Sequence, residues 1–107
     1  MEQILMVFVT VASEEEGKRI GSNLVENKLA ACVNLVPQIF SIFRWQGNIE
    51  NEKEILLLIK TTENRVDALI DKVKEIHSYD VPEILAIPVF TGNKDYIDWV
   101  VEETKNG

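Results

Sequence analysis

At 107 residues the chain has room for one domain, taken as 1–107, and one two-layer core. An apolar share of 46% with 27% charged residues describes a globular chain and excludes a disordered one. The formal net charge of −7 opposes approach to phosphate backbones and anionic lipid, so neither nucleic acid nor membrane is an expected partner; metal ions, basic ligands or plain solubility remain as uses for it.

Residues 4–10 form an unbroken run of strand length, Ile4 to Thr10. Ser13 then offers an N-cap, with Glu16 three residues later as in a capping box, and Glu14, Glu15 and Glu16 suit the positive end of a helix dipole. That helix should run to about Lys28, with Gly17, Ile20, Gly21, Leu24 and Lys28 on one side. Its two glycines lower helix propensity, so they point to close approach to a sheet. Residues 30–44 read as a long strand interrupted at Pro37, which cannot donate to a ladder and belongs at an edge or a bulge. Gln46-Gly47-Asn48 supplies a turn into a second strand at 50–61, closing a long hairpin.

Thr62 stands where a second helix, 63–77, would be capped. Val66, Leu69, Ile70, Val73 and Ile76 follow helical spacing within it. A polar stretch, His77-Ser78-Tyr79-Asp80, precedes Val81-Pro82 and a fourth strand at about 84–90. Asn93 caps a last helix carrying Tyr96, Ile97, Val100 and Val101.

The order β-α-β-β-α-β plus a terminal helix predicts an α+β fold, a ferredoxin-like sandwich with two helices on one sheet face and the second strand at an edge. An antiparallel sheet with one wet face alternates apolar and polar residues. Residues 4–10, 55–59 and 84–90 do not alternate, so both faces should be covered. One short last helix is too small for the second face, and sister copies of the chain are the simplest cover. The pattern does not choose between two, three or more copies. Cys32 is the only cysteine, which excludes an intrachain disulfide and suits a reducing, cytoplasmic setting. Met1-Glu2-Gln3 has no basic character of a signal peptide, and no apolar run reaches membrane-spanning length.

Five blocks carry a resemblance. They are Lys28-Leu29-Ala30-Ala31-Cys32-Val33-Asn34; Ser41 with Trp45, Gly47, Ile49 and Glu50; Glu54 with Lys60-Thr61-Thr62; His77, Tyr79 and Val81-Pro82-Glu83-Ile84; and Gly92-Asn93 with Tyr96 and Trp99. In order and at compatible spacing, they make the chain resemble the CutA divalent-cation-tolerance proteins over nearly its full length. The resemblance implies a homotrimer with hairpin strands shared between neighbours. It also implies a cytoplasmic role in tolerance of copper or other divalent cations. In some relatives a cysteine near the end of strand one and a second histidine beside the shared one are proposed copper ligands; here those places hold Val9 and Ile76, which cannot ligate.

The candidate residues follow. His77 is the only histidine, an imidazole suited to copper or zinc or to the end of a helix, and Cys32 suits Cu(I) as a thiolate or a core as a small hydrophobe. One cysteine and one histidine do not complete a four-ligand site within one chain, so carboxylates or neighbouring subunits must contribute. Trp45, Tyr79 and Trp99 are expected to line a cleft between subunits or to pack an interface. Glu54 and Lys60 bracket the apolar centre of strand three and Glu83 adjoins strand four, so inward-facing copies would need partners. No catalytic residues are assigned. There is no glycine-rich phosphate loop, no buildable Ser/His/Asp set, and no arginine in the Thr10–Ser13 loop to bind an acyl phosphate. The expected function is a trimeric binding protein taking a divalent metal or small effector at intersubunit clefts; a scaffolding or signalling trimer without specific metal binding is the alternative.

Overall fold

Ile4–Val11 forms β1, Glu14–Glu26 α1, Cys32–Trp45 β2, Asn48–Thr62 β3, Glu63–Ile76 α2, Ile84–Pro88 β4 and Lys94–Glu103 α3. These elements come from a computed structural model, which describes residues 2–105. The four strands make one antiparallel sheet in the order β2-β3-β1-β4, so the fold is the expected α+β ferredoxin-like βαββαβ sandwich with a C-terminal helix, and β2 lies at an edge.

Pairing fixes which residues share a face. Val7, Val9 and Val11 of β1 lie beside Ile59, Leu57 and Ile55 of β3, and all are buried against Ile20 and Leu24 of α1 and Leu69 and Val73 of α2. Successive strand side chains alternate faces, so Met6, Phe8 and Thr10 take the other side, opposite Lys60, Leu58 and Leu56. On that side α3 covers one end only: its Val100 packs with Ile4 and Ala31. Farther along, Met6 and Phe8 are half-buried, and their β4 neighbours Ile87 and Leu85 are 48% and 60% exposed. The uncovered second face read from the sequence is therefore present in the single chain.

Gly17 brings α1 onto the sheet: a Cβ there would stand 3.1 Å from Leu35 Cδ2, 3.2 Å from Leu57 Cδ2 and 3.3 Å from Val11 Cγ2. The Ser13 hydroxyl caps α1 by accepting from Glu16 N at 3.1 Å. The helix ends earlier than its sequence pattern extends. Asn27 is the C-cap, and Lys28 takes a left-handed φ of 59°, so Lys28 is not on the helix face. Pro37 does not break β2 in two; the ladder shifts register between Val36 and Ile39, a bulge on the edge strand. Thr62 is the N-cap of α2, but its side chain makes no capping hydrogen bond. The hairpin turns at Gln46 and Gly47, with φ of 50° and 84°, the paired left-handed conformation that matches strand twist in a two-residue loop. Pairing with β1 stops at Ile55, so residues 39–54 project as a two-stranded arm. The arm carries exposed Phe40, Ile42, Trp45 and Ile49. β4 ends at Pro88, two residues short of the expected 90.

Candidate functional site

The polar segment after α2 wraps the end of β1. The His77 ring is fully buried, and its Nε2 lies 2.8 Å from the Thr10 carbonyl. A carbonyl only accepts, so Nε2 carries the proton; Nδ1 is left to accept from Tyr79 N–H at 2.9 Å. Both ring nitrogens are spent inside the chain. Two residues on, the Tyr79 hydroxyl donates to Glu54 Oε2 at 2.8 Å, while the Tyr79 and His77 rings lie 4.7 Å apart. Burial first, and then the hydrogen bond to the Glu54 carboxylate, push the Tyr79 pKa well above the ordinary phenol value, so it stays a donor.

Glu16 holds this segment from the other side. Its carboxylate is 7% exposed and accepts from Ser78 N at 2.8 Å, Ser78 Oγ at 3.0 Å and Ala12 N at 3.2 Å. Arg19, 3.7 Å from the same carboxylate, also donates to the Ile76 carbonyl at 3.1 Å and so ties α1 to the end of α2. Burial works to raise the Glu16 pKa, but the donors from Ser78 and Ala12 outweigh it, and the net shift is downward.

A second polar cluster lies on the sheet face beside α3. Lys60 Nζ donates to Asn34 Oδ1 and lies 3.8 Å from Cys32 Sγ. The Tyr96 phenol of α3 is held above its ordinary pKa by burial and then by the charge and hydrogen bonding of Cys32, and the Tyr96 and Trp99 rings lie tilted at 36° to each other with centroids 5.5 Å apart.

The sequence-derived candidates therefore divide. Glu54, Tyr79 and His77 meet at one end of the sheet. Lys60, Cys32 and Trp99 belong to the other end. Cys32 and Met6 both pair with Lys60, whereas His77 meets β1 at Thr10, so the two candidate metal ligands do not share a site within the chain. Trp45 stands at the arm's tip, paired with Asn48, and Glu83 is exposed just before β4. Among the described residues, no three or more His, Cys, Asp or Glu side chains gather to hold a metal. The Glu16–Ser78 contact was missed as site geometry: Glu16 was legible only as a helix-start residue, and nothing local signals a bond across 62 residues. Asn34 and Tyr96 were visible in the sequence blocks, but their convergence on Lys60 and Cys32 depends on strand register and on α3 docking.

Among the described residues, no helix is long and apolar enough to cross a membrane. Residues 5–103 match the family model described as CutA1 divalent ion tolerance protein. The chain is 49% identical over 104 residues to the divalent-cation tolerance protein CutA of Thermus thermophilus, covering 97% of this chain and 99% of that one. It is 46% identical over 101 residues to Protein CutA 1, chloroplastic, of Oryza sativa, covering 94% of this chain but only 57% of that relative. A crystal structure of CutA1 from Oryza sativa superposes with a TM-score of 0.94 at 44% identity, covering 98% of this chain and 96% of that one. The chain belongs to the CutA1 divalent ion tolerance family.

Proposed function

We propose that the chain works as a non-enzymatic homotrimer that takes a divalent cation such as copper, or a small effector, in clefts between its subunits, and that divalent-cation tolerance rests on this binding. The observation that carries the reading is the half-covered second sheet face, apolar from Met6 and Phe8 out to Leu85 and Ile87, with a polar cluster at each end. Burying such a face is favourable by about 25 cal/mol per Å². Closed symmetry lets identical copies supply the cover, and three copies are what the family resemblance implies. The arm supports the same reading, because a two-stranded hairpin is marginal alone.

His77 has no free nitrogen, so on this reading a metal draws first on Cys32 and on carboxylates brought by neighbouring chains, Glu83 among them. Imidazole ligation by His77 requires release of the Tyr79 N–H. A cytoplasmic setting is proposed from the single cysteine.

Calorimetric titration of the assembled protein with Cu²⁺ tests the proposal. Saturation at a fixed ratio to chains, weakened in Cys32→Ser or Glu83→Gln, is expected. Weak heat without saturation would instead favour the scaffolding alternative.

A further inference from the structure

Lys60 is placed unusually for a lysine. It stands on the same strand parity as Leu56 and Leu58, facing the side that Met6, Phe8, Leu85 and Ile87 make apolar. An ammonium group has three donors. One goes to Asn34 Oδ1 and one is directed at the weak acceptor Cys32 Sγ, which leaves the third unspent. Among the described residues, no carboxylate lies within 4.0 Å of Lys60, whereas Lys18, Lys72, Lys94 and Lys105 each have one; Lys28, Lys53 and Lys74 lack one too, but they are exposed and Lys60 is half-buried. Glu54 is six residues away on the same strand, about 20 Å at ~3.3 Å per residue, and it is already held by Tyr79. A cation on a face destined for burial needs a negative partner, because desolvation without one is strongly unfavourable.

We propose that Lys60, with Asn34 and the Tyr96–Trp99 pair, forms a subsite for the carboxylate of a small organic anion. This rests on the effector-binding reading above and names the effector's chemical class. The ammonium supplies the charge, and the Asn34 amide lies next to it as a further hydrogen-bonding group. The neighbouring Tyr96 and Trp99 rings, each partly exposed, give the organic body an apolar surface to lie against. That apolar surface favours an aromatic or aliphatic carboxylate over a bare phosphate, which has no apolar part to place there. The net charge of −7 repels anions at long range, so affinity must come from local contacts and should vanish with the lysine.

The test is calorimetric titration of the assembled protein with benzoate and, separately, with inorganic phosphate, with light scattering on the same samples. Saturable benzoate binding is expected, weakened at least tenfold in Lys60→Met. It should be unchanged in Lys94→Met, whose exposed lysine pairs with Asp98, and the oligomer mass should be unaffected by either change. Equal binding by Lys60→Met, no benzoate binding at millimolar concentration, or tighter binding of phosphate overturns the proposal. So does dissociation of the oligomer by Lys60→Met, which would make a neighbouring chain's carboxylate the partner. If the oligomer persists and Cu²⁺ still saturates while benzoate fails, this inference alone is lost.

Discussion

The Tyr79 hydroxyl donates to Glu54 at 2.8 Å, fastening the connection between α2 and β4 to a strand that pairs with neither. Glu54 is 7% exposed, so this bond is not easily exchanged for water. Removing the donor leaves a buried carboxylate short of a partner, which costs about 1–3 kcal/mol. Tyr79→Phe should therefore lower the urea midpoint at fixed protein concentration. The double change Tyr79→Phe with Glu54→Leu should be less destabilised than the sum of the single changes, because both polar ends are gone. Strict additivity would show that the two side chains do not act as a pair.

Glu16 predicts how stability depends on acidity. Its pKa in the fold is below the ordinary 4.5, so the folded state holds the proton less tightly than the unfolded chain does. The stabilisation is complete above about pH 4.5 and is lost as pH falls through the lower folded value. Thermal melts of wild type and Glu16→Gln should differ most above about pH 5 and converge as the pH falls below 4.5, with Gln the less stable throughout the upper range. A constant gap across that range would mean that Glu16 stabilises by shape and not by charge.

Gly17 and Gly21 face the same strand but not the same surroundings. A Cβ at Gly17 meets Leu35, Leu57 and Val11 on three sides, two of them fully buried; at Gly21 it meets Val33 alone, on the half-buried edge strand. Alanine gains about 1 kcal/mol of helix propensity at either position, against about 1–3 kcal/mol for overpacking where neighbours cannot move. Gly17→Ala should be destabilising and Gly21→Ala close to neutral in chemical denaturation. The reverse order would contradict the packing assigned to α1.

These contrasts mark how far the sequence alone could be read. Element order, the edge position of β2 and the caps at Ser13 and Asn93 follow from local rules, because apolar spacing, Pro37 and short polar side chains act on their own neighbourhoods. The uncovered face was legible too, since Leu56 and Leu58 interrupt the alternation that a wet face requires. The partners of Glu16, and the meeting of Cys32 with Lys60 and Tyr96, were not. Those contacts depend on register and on how the 77–83 segment and α3 fold back, which residue spacing does not encode. Thr62 illustrates the same limit: it takes the cap position, but its hydroxyl makes no capping bond, while the neighbouring Thr61 hydroxyl donates to the Leu29 carbonyl at 2.7 Å.

Leu85 offers a direct perturbation of the uncovered face. It is 60% exposed in the single chain and lies beside Phe8, so a charge there should cost the lone fold little while opposing burial against another copy. Leu85→Asp should shift sedimentation toward the monomer with the far-ultraviolet circular dichroism of wild type retained. Unchanged sedimentation would place the interface elsewhere.

The most direct measurement is the solution mass of the wild-type protein by multi-angle light scattering at micromolar concentration. Three chain masses, stable on dilution, are predicted: the apolar sheet face that one chain leaves half-covered calls for sister copies, and the family resemblance sets their number at three. A single chain mass under the same conditions would contradict the account.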